Sequence, residues 1–272
     1  MFATSSIVDR TSDACWREVK RTVRLVRIIA HILVGVVLAH GLLPLLRWQR
    51  TRQNSDALVR WWMLGVTRIL NLRLLIDGDV PKIPALFISN HVSWLDVICL
   101  RSIVDVDFVA KDDVRRWPLL GGMVARVGTI FLARGKTDTT VLAADRMTRS
   151  LRQQRSVLFF PEGTTTDGSV VRPFHPRLFQ AAIRTESPVQ VVAVSYPHGD
   201  RNHPKAAFVG DDALVSHLWA LLSEHGLTVK LSFCNLICCP GQDRRALANL
   251  GRANVLNALG LNVRGHSDVI AS

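Results

Sequence analysis

The sequence predicts an α/β fold, a mixed, mostly parallel sheet flanked by helices, preceded by an amino-terminal membrane-anchoring helical pair. Three observations carry that reading. From Pro84 onward, short β-rich runs alternate with helical stretches, the pattern of a sheet covered by helices. Before that, Ile28 to Leu46 runs 19 residues without a Lys, Arg, Asp or Glu. Charge is skewed to the same end: of a net +12, residues 1–75 hold 12 Lys/Arg against 4 Asp/Glu. The chain therefore divides into basic anchor helices, 1–75, and one α/β domain, 76–272, with no Pro/Gly linker or internal repeat to split it. At 48% hydrophobic it can bury a full core and is not intrinsically disordered. The five cysteines never form a C-x-x-C pair, which argues against a disulfide framework and against zinc, and fits a reducing compartment.

As a helix, Ile28–Leu46 is roughly 28 Å long, close to the ~30 Å hydrocarbon core of a bilayer. Gly35 and Gly41 weaken it and Pro44 kinks or ends it. Three acids precede it and no A-x-A-like site follows, so a secretory signal peptide is a poor reading. A second, amphipathic helix is predicted over Ala57–Leu75, with Arg60, Thr67, Arg68 and Asn71 opposite Trp61, Trp62, Ile69 and Leu72. Tryptophan beside arginine is the composition of a membrane interface. The polar turn Arg47–Ser55 joins the two. A basic end beside apolar helices points to anionic lipid before nucleic acid.

In the body, strands are predicted at Ala85–Ser89, Asp107–Ala110, Thr129–Leu132, Val157–Phe160, Val189–Ser195 and Thr228–Phe233. Helices are predicted at about 94–102, 118–126, 138–153, 176–185, 213–223 and 243–258. Three constellations follow strands. In Asn90-His91-Val92-Ser93-Trp94-Leu95-Asp96, a histidine opens the loop after the first strand, where α/β sheets place chemistry. If Ser93 caps the helix, Asp96 falls in its first turn and reaches back to the imidazole, leaving the other ring nitrogen as a general base. The same Ser93-x-x-Asp96 is also a plain capping box.

Gly128 to Arg134 is a buried strand ending in an arginine able to clamp a phosphate or carboxylate. The following Gly135-Lys136-Thr137 imitates a P-loop, but Ile130 stands where the first glycine is required. In Val157 to Gly168, a strand runs into Pro161-Glu162-Gly163 and three threonines, then Arg172. Turn chemistry accounts for the proline and glycines but not for the lone glutamate.

These blocks, in this order, resemble those of the glycerophospholipid acyltransferase family, whose central bacterial member is 1-acyl-glycerol-3-phosphate acyltransferase. Asn90-His91…Asp96 matches its N-H-x-x-x-x-D box, Gly128–Arg134 its glycine–hydrophobic–arginine block, and Phe160-Pro161-Glu162-Gly163-Thr164 its F-P-E-G-T block. Val189–Val194 is similar to the variable fourth block, with Val191 where proline is common. The resemblance covers roughly 76–260, and the helical pair resembles the family's anchor.

The resemblance implies an O-acyltransferase with His91 and Asp96 as catalytic residues and no metal. His91 takes the proton from a lysophospholipid hydroxyl, which attacks the thioester of acyl-CoA or acyl-ACP, a co-substrate rather than a cofactor. It further implies acceptor binding by Arg134, Glu162, Gly163 and Thr164, with Lys111 and Arg172 as weaker candidates. The expected acceptor is 1-acyl-glycerol-3-phosphate, giving phosphatidic acid. Many family members carry arginine straight after F-P-E-G-T, and here that residue is Thr165. This leaves open a lyso-ornithine lipid acceptor, whose branch Phe160–Gly168 resembles. An Arg134–Glu162 structural pair is the plainer alternative for those two residues.

No G-x-S-x-G occurs, which argues against a serine hydrolase. A non-enzymatic basic membrane or nucleic-acid binder is the remaining class. The basic residues cluster beside apolar helices rather than among aromatics on a folded face, so nucleic acid is not an expected partner. The expected location is the cytosolic leaflet of the cell membrane, with the helical pair lying monotopically, since acyl donors are cytosolic and Arg17–Arg27 favours a cytosolic amino terminus.

Overall fold

The computed structural model describes residues 5–48, 52–117, 120–133, 137–210 and 212–261. The apolar amino-terminal run is helical throughout: α1 (Ser5–Val37) passes through a π turn (Leu38–Leu42) into α2 (Leu43–Trp48). Pro44 does not end it. The Leu43 N–H reaches back to the Leu38 carbonyl, and this widened turn absorbs the ring and missing N–H of the proline that follows. Glu18–Leu45 is long and apolar enough to cross a membrane by length and composition, and 22% of its most apolar window is buried against the rest of the chain.

The second helix, α3 (Arg52–Ile69), stops six residues before the predicted end. Asn71 takes a left-handed backbone, φ +56°, which closes the helix. Leu72–Leu75, expected as its last turn, belongs instead to strand β1 (Leu72–Asp77). Leu-Arg-Leu-Leu-Ile suits either state by composition. What decides is the parallel partner Leu227–Phe233, which pairs with β1 from Leu72↔Leu227 to Asp77↔Ser232.

The body continues as β2 (Leu86–Ser89), α4 (Trp94–Ile103), β3 (Val106–Lys111), α5 (Leu120–Arg126), β4 (Ile130–Leu132), α6 (Thr137–Arg152), β5 (Ser156–Phe159), α7 (Gln180–Thr185) and β6 (Val189–Ser195). A short ribbon, β7 (Pro197–His198) and β8 (Arg201–Asn202), precedes α8 (Leu214–Leu222), β9 (Leu227–Phe233) and α9 (Arg244–Ala258). Each predicted strand and helix of the body is present within a few residues. The seven-stranded sheet has the order β1-β9-β6-β2-β5-β3-β4. Every pairing within it is parallel except β6 with β9, so the sheet is mixed and mostly parallel, as expected.

One core fills each face. Phe87, Leu95, Leu100, Leu158 and Val194 pack on the side of α3, α4 and α8, and Ile88, Met147, Phe159, Phe179 and Leu247 on the side of α6, α7 and α9. Helices α3 and α4 are cross-tied by charge: the buried Arg101 guanidinium donates to Asp56 at 3.0 Å and Asp105 at 2.7 Å, and Arg60 to Asp105 at 2.8 Å. A second buried pair, Asp107 with Arg155, joins β3 to the turn before β5, and Ser150 adds a hydrogen bond at 3.1 Å.

That pair explains Gly128. Its φ is +93°, and a Cβ there would overlap Asp107 Oδ1. Gly128→Ala should cost about 1–3 kcal/mol from the backbone alone, and more from displacement of the Asp107–Arg155 pair. Chemical denaturation in detergent would measure this; a variant as stable as wild type would contradict it.

Candidate active site

The four strands β2, β5, β3 and β4, together with β6, run parallel, so their carboxyl ends share one edge of the sheet. His91 follows β2, Phe160 and Glu162 follow β5, Lys111 ends β3, and Tyr196 follows β6. β4 ends at Leu132, and Arg134 lies just outside the described residues, as do Gly135 and Lys136. The topology thus gathers blocks that lie far apart in the chain.

His91 is held by its backbone before its ring is considered. Asn90 bridges to β6, its amide donating to the Val194 carbonyl at 2.9 Å and its oxygen accepting from the Val194 N–H at 2.8 Å. The His91 N–H donates to Glu162 Oε1 at 2.8 Å, and its carbonyl accepts from the Thr166 N–H at 2.9 Å. The ring stacks on Phe160, centroids 3.8 Å apart and planes 11° apart. The imidazole remains 19% exposed while Asp96 is fully buried.

Asp96 Oδ2 lies 2.8 Å from His91 Nδ1 and accepts the Val92 N–H at 2.7 Å and the Ser93 N–H at 2.9 Å. Oδ1 accepts the Tyr196 hydroxyl at 2.5 Å. A carboxylate only accepts, so Nδ1 carries the proton of the neutral ring and Nε2 keeps its lone pair. Ser93 is the N-cap of α4 and Asp96 its N3 residue in a capping box. The capping and the histidine-orienting readings are therefore one geometry: the carboxylate that closes the helix also faces the imidazole.

Tyr196 is a site residue that the sequence motifs do not single out. It is fully buried, and burial, then the charge of Asp96, push its hydroxyl well above its ordinary range, so it stays a donor. The one signal for it is that it is the chain's single tyrosine, closing an apolar strand; a buried phenol needs a partner. Cys99, one turn past Asp96, is buried and its thiol is likewise pushed up, first by burial and then by Asp96, which leaves it protonated and unsuited to act as a nucleophile.

Glu162 is buried and spends both oxygens on backbone: Oε1 on the His91 N–H and Oε2 on the Arg172 N–H at 2.8 Å. Gly163 turns the loop at φ +69°, its N–H donating to the Phe160 carbonyl at 3.1 Å. Thr164 is half-buried on the same loop. The Arg172 side chain is exposed, while its backbone is fixed between Glu162 and Arg252, whose Nε lies 3.2 Å from the Arg172 carbonyl. The structure thus brings His91, Asp96 and Glu162 into one hydrogen-bonded unit with Gly163, Thr164 and the Arg172 backbone around it. Lys111 shares the sheet edge two strands away.

Residues 66–196 match the family model described as Acyltransferase. The chain is 37% identical over 202 residues to a lyso-ornithine lipid O-acyltransferase of Pseudomonas aeruginosa, covering 74% of this chain and 78% of that protein. A protein of the same name from Rhizobium meliloti is 35% identical, over 76% of this chain and 73% of the relative. A 1-acyl-sn-glycerol-3-phosphate acyltransferase of Neisseria meningitidis is 31% identical, over 67% and 73%. The fold is similar to that of the 1-acyl-sn-glycerophosphate acyltransferase from Thermotoga maritima, with TM-score 0.67 at 16% identity over 90% of this chain and 96% of that one.

Two predictions rest on this geometry. Tyr196→Phe removes one of four donors to Asp96 and should lower kcat about tenfold with little change in KM, whereas Asp96→Asn should lose about 10²–10³-fold. Steady-state kinetics would separate them, and an unchanged kcat in Tyr196→Phe would remove the tyrosine from the site. Burial raises the Glu162 carboxyl, with the Arg172 and His91 N–H bonds opposing it. A raised folded-state value means that the folded protein binds this proton more readily than the unfolded chain, so Glu162's contribution to stability is greatest at low pH and falls as pH rises through the folded value. The stability difference between wild type and Glu162→Gln should therefore shift in favour of wild type as pH falls from neutral toward about 4.5. A pH-independent difference in denaturation free energy would contradict this.

Proposed function

The chain belongs to the glycerophospholipid acyltransferase family, and from that premise we propose that it transfers a fatty acyl group from a thioester donor to the free hydroxyl of a lyso-ornithine lipid. The observation that carries the reaction is the His91–Asp96 pair, with Nδ1 engaged, Nε2 without a hydrogen-bond partner among the described residues and the ring partly exposed. Nε2 takes the hydroxyl proton as the oxygen attacks the thioester carbonyl. The carbon–sulfur bond then breaks, and the leaving thiolate receives the proton from the imidazolium. Asp96 steadies that imidazolium. Acyl-CoA and acyl carrier protein both supply such a thioester.

The acceptor reading rests on the relatives from P. aeruginosa and R. meliloti, which bear that name, and on Thr165, which stands where a phosphate-binding arginine is common. A second reading, 1-acyl-glycerol-3-phosphate as acceptor, is favoured by Lys111 at the same sheet edge and by the N. meningitidis relative. Arg134, Lys111 and Arg172 are the proposed acceptor-binding cations, with Gly163 and Thr164 shaping the loop; Glu162 acts by holding the His91 and Arg172 backbones. The apolar run Glu18–Leu45 supports attachment to the membrane that holds the acceptor, and the cytosolic donors favour the cytosolic leaflet.

Purified protein in membranes, offered labelled acyl donor with either lysolipid, tests both levels. Lyso-ornithine lipid should show at least about tenfold higher kcat/KM, a difference of about 1.4 kcal/mol; the reverse preference would select the second reading. His91→Ala should lose at least about 10²–10⁴-fold with both acceptors while remaining folded. Near-wild-type turnover in that variant would overturn the mechanism.

A further inference from the structure

Helices α1 and α3 run antiparallel and are clasped by His31 and Trp62. Their rings stack 5.1 Å apart at 10°, the His31 Nε2 donates to the Trp62 carbonyl at 2.8 Å, and the Trp62 indole N–H donates to the His31 carbonyl at 2.9 Å. Gly35 and Gly65 make this approach possible, since a Cβ on either would overlap the indole or the imidazole. Beside the clasp the helices leave an open cleft of about 410 Å³.

The lining of this cleft is polarised along its length. On α1, Arg27 precedes Val34 by seven residues; on α3, which runs the opposite way, Trp61 precedes Arg68 by seven. At 1.5 Å per residue, both walls pass from a guanidinium to an apolar side chain over about 10 Å, in the same direction. The two arginines are exposed, and neither has a hydrogen bond or ion pair among the described residues. Neighbouring cations are spent otherwise: Arg21 and Arg24 donate to carbonyls of Trp219 and Leu222, and Arg60 pairs with Asp105. A pair of free guanidinium groups at one end of an apolar slot between helices matches a phosphodiester with acyl chains attached, because arginine binds phosphate through its planar fork and pockets of this kind lie between membrane helices.

We propose that the α1–α3 cleft binds one anionic phospholipid of the bilayer, its phosphate between Arg27 and Arg68 and the upper part of a chain against Val34 and Trp61. This lipid is not the acyl acceptor, for no residue of the cleft belongs to the His91 site, and the assignment stands whichever acceptor is used.

Native mass spectrometry of the full chain in detergent, titrated with phosphatidylglycerol or phosphatidylcholine, tests it. One phosphatidylglycerol per chain should bind at least tenfold more tightly than phosphatidylcholine. Arg27→Gln/Arg68→Gln should reduce its affinity to the phosphatidylcholine level, whereas the charge-matched Arg244→Gln/Arg245→Gln on α9 should not. Inorganic phosphate should fail to displace the lipid. Equal affinity in the Arg27/Arg68 variant would mean that only diffuse charge attracts the lipid, and displacement by phosphate would mean a free-anion site; either overturns the proposal. Should that variant not fold, acyl-brominated phosphatidylglycerol provides the second measurement. It should quench the wild type more than Trp61→Phe, and equal quenching would overturn the proposal as well.

Discussion

A carboxylate with no solvent exposure must be compensated where it sits, and Asp96 imposes that condition on everything around it. Its hydrogen-bond donors come from the His91 ring, the Val92 and Ser93 backbone and the Tyr196 hydroxyl. Those groups belong to the β2–α4 loop and to the end of β6, so satisfying one charge fixes the join between two neighbouring strands. Removing any donor leaves the same charge less well compensated, which is why the His91–Asp96 pair and the local fold are coupled. The exposure left to the imidazole is the complement of this arrangement: charge inside, base at the surface.

Glu162 performs a related task with the opposite emphasis. Both its oxygens receive backbone N–H groups, one from His91 and one from Arg172, so the carboxylate acts as a brace between two loops at the sheet edge. The Phe160 ring covers one face of His91 from the same loop. Asn90 does similar work toward β6, where its amide imitates a strand's hydrogen-bonding pair with Val194. The block that looks most like a substrate-binding motif is, in its buried part, the scaffold that sets the histidine's backbone.

The helical pair is joined to this scaffold rather than appended to it. Arg101, in the last turn of the helix whose first turn carries Asp96, binds Asp56 of α3 and Asp105 beyond α4. β1, directly after α3, is an edge strand of the sheet through its pairing with β9. A displacement of α3 at a membrane would therefore reach both the sheet edge and the helix bearing Asp96. Arg21 and Arg24 on α1, bonded to carbonyls at the end of α8, add a third connection.

Elements whose signal is local can be read directly from the residues. Strand and helix positions in the body, the Ser93-x-x-Asp96 cap and the loop position of His91 all follow from spacings of a few residues, and the chain alone makes them legible. Pro44 marks a disturbance in its helix from the sequence onward, but the π turn that absorbs it depends on the backbone of the preceding residues. Three features required the assembled fold. Leu72–Asp77 became a strand because β9, more than 150 residues later, supplied its partner. Tyr196 became a donor to Asp96, 100 residues away in the chain. Glu162 became a brace between the His91 and Arg172 backbones. In each case local sequence allowed more than one state, and the choice was made by a hydrogen-bond partner that only the assembled sheet brings near, β9 at its edge or the loops at the carboxyl ends of its parallel strands.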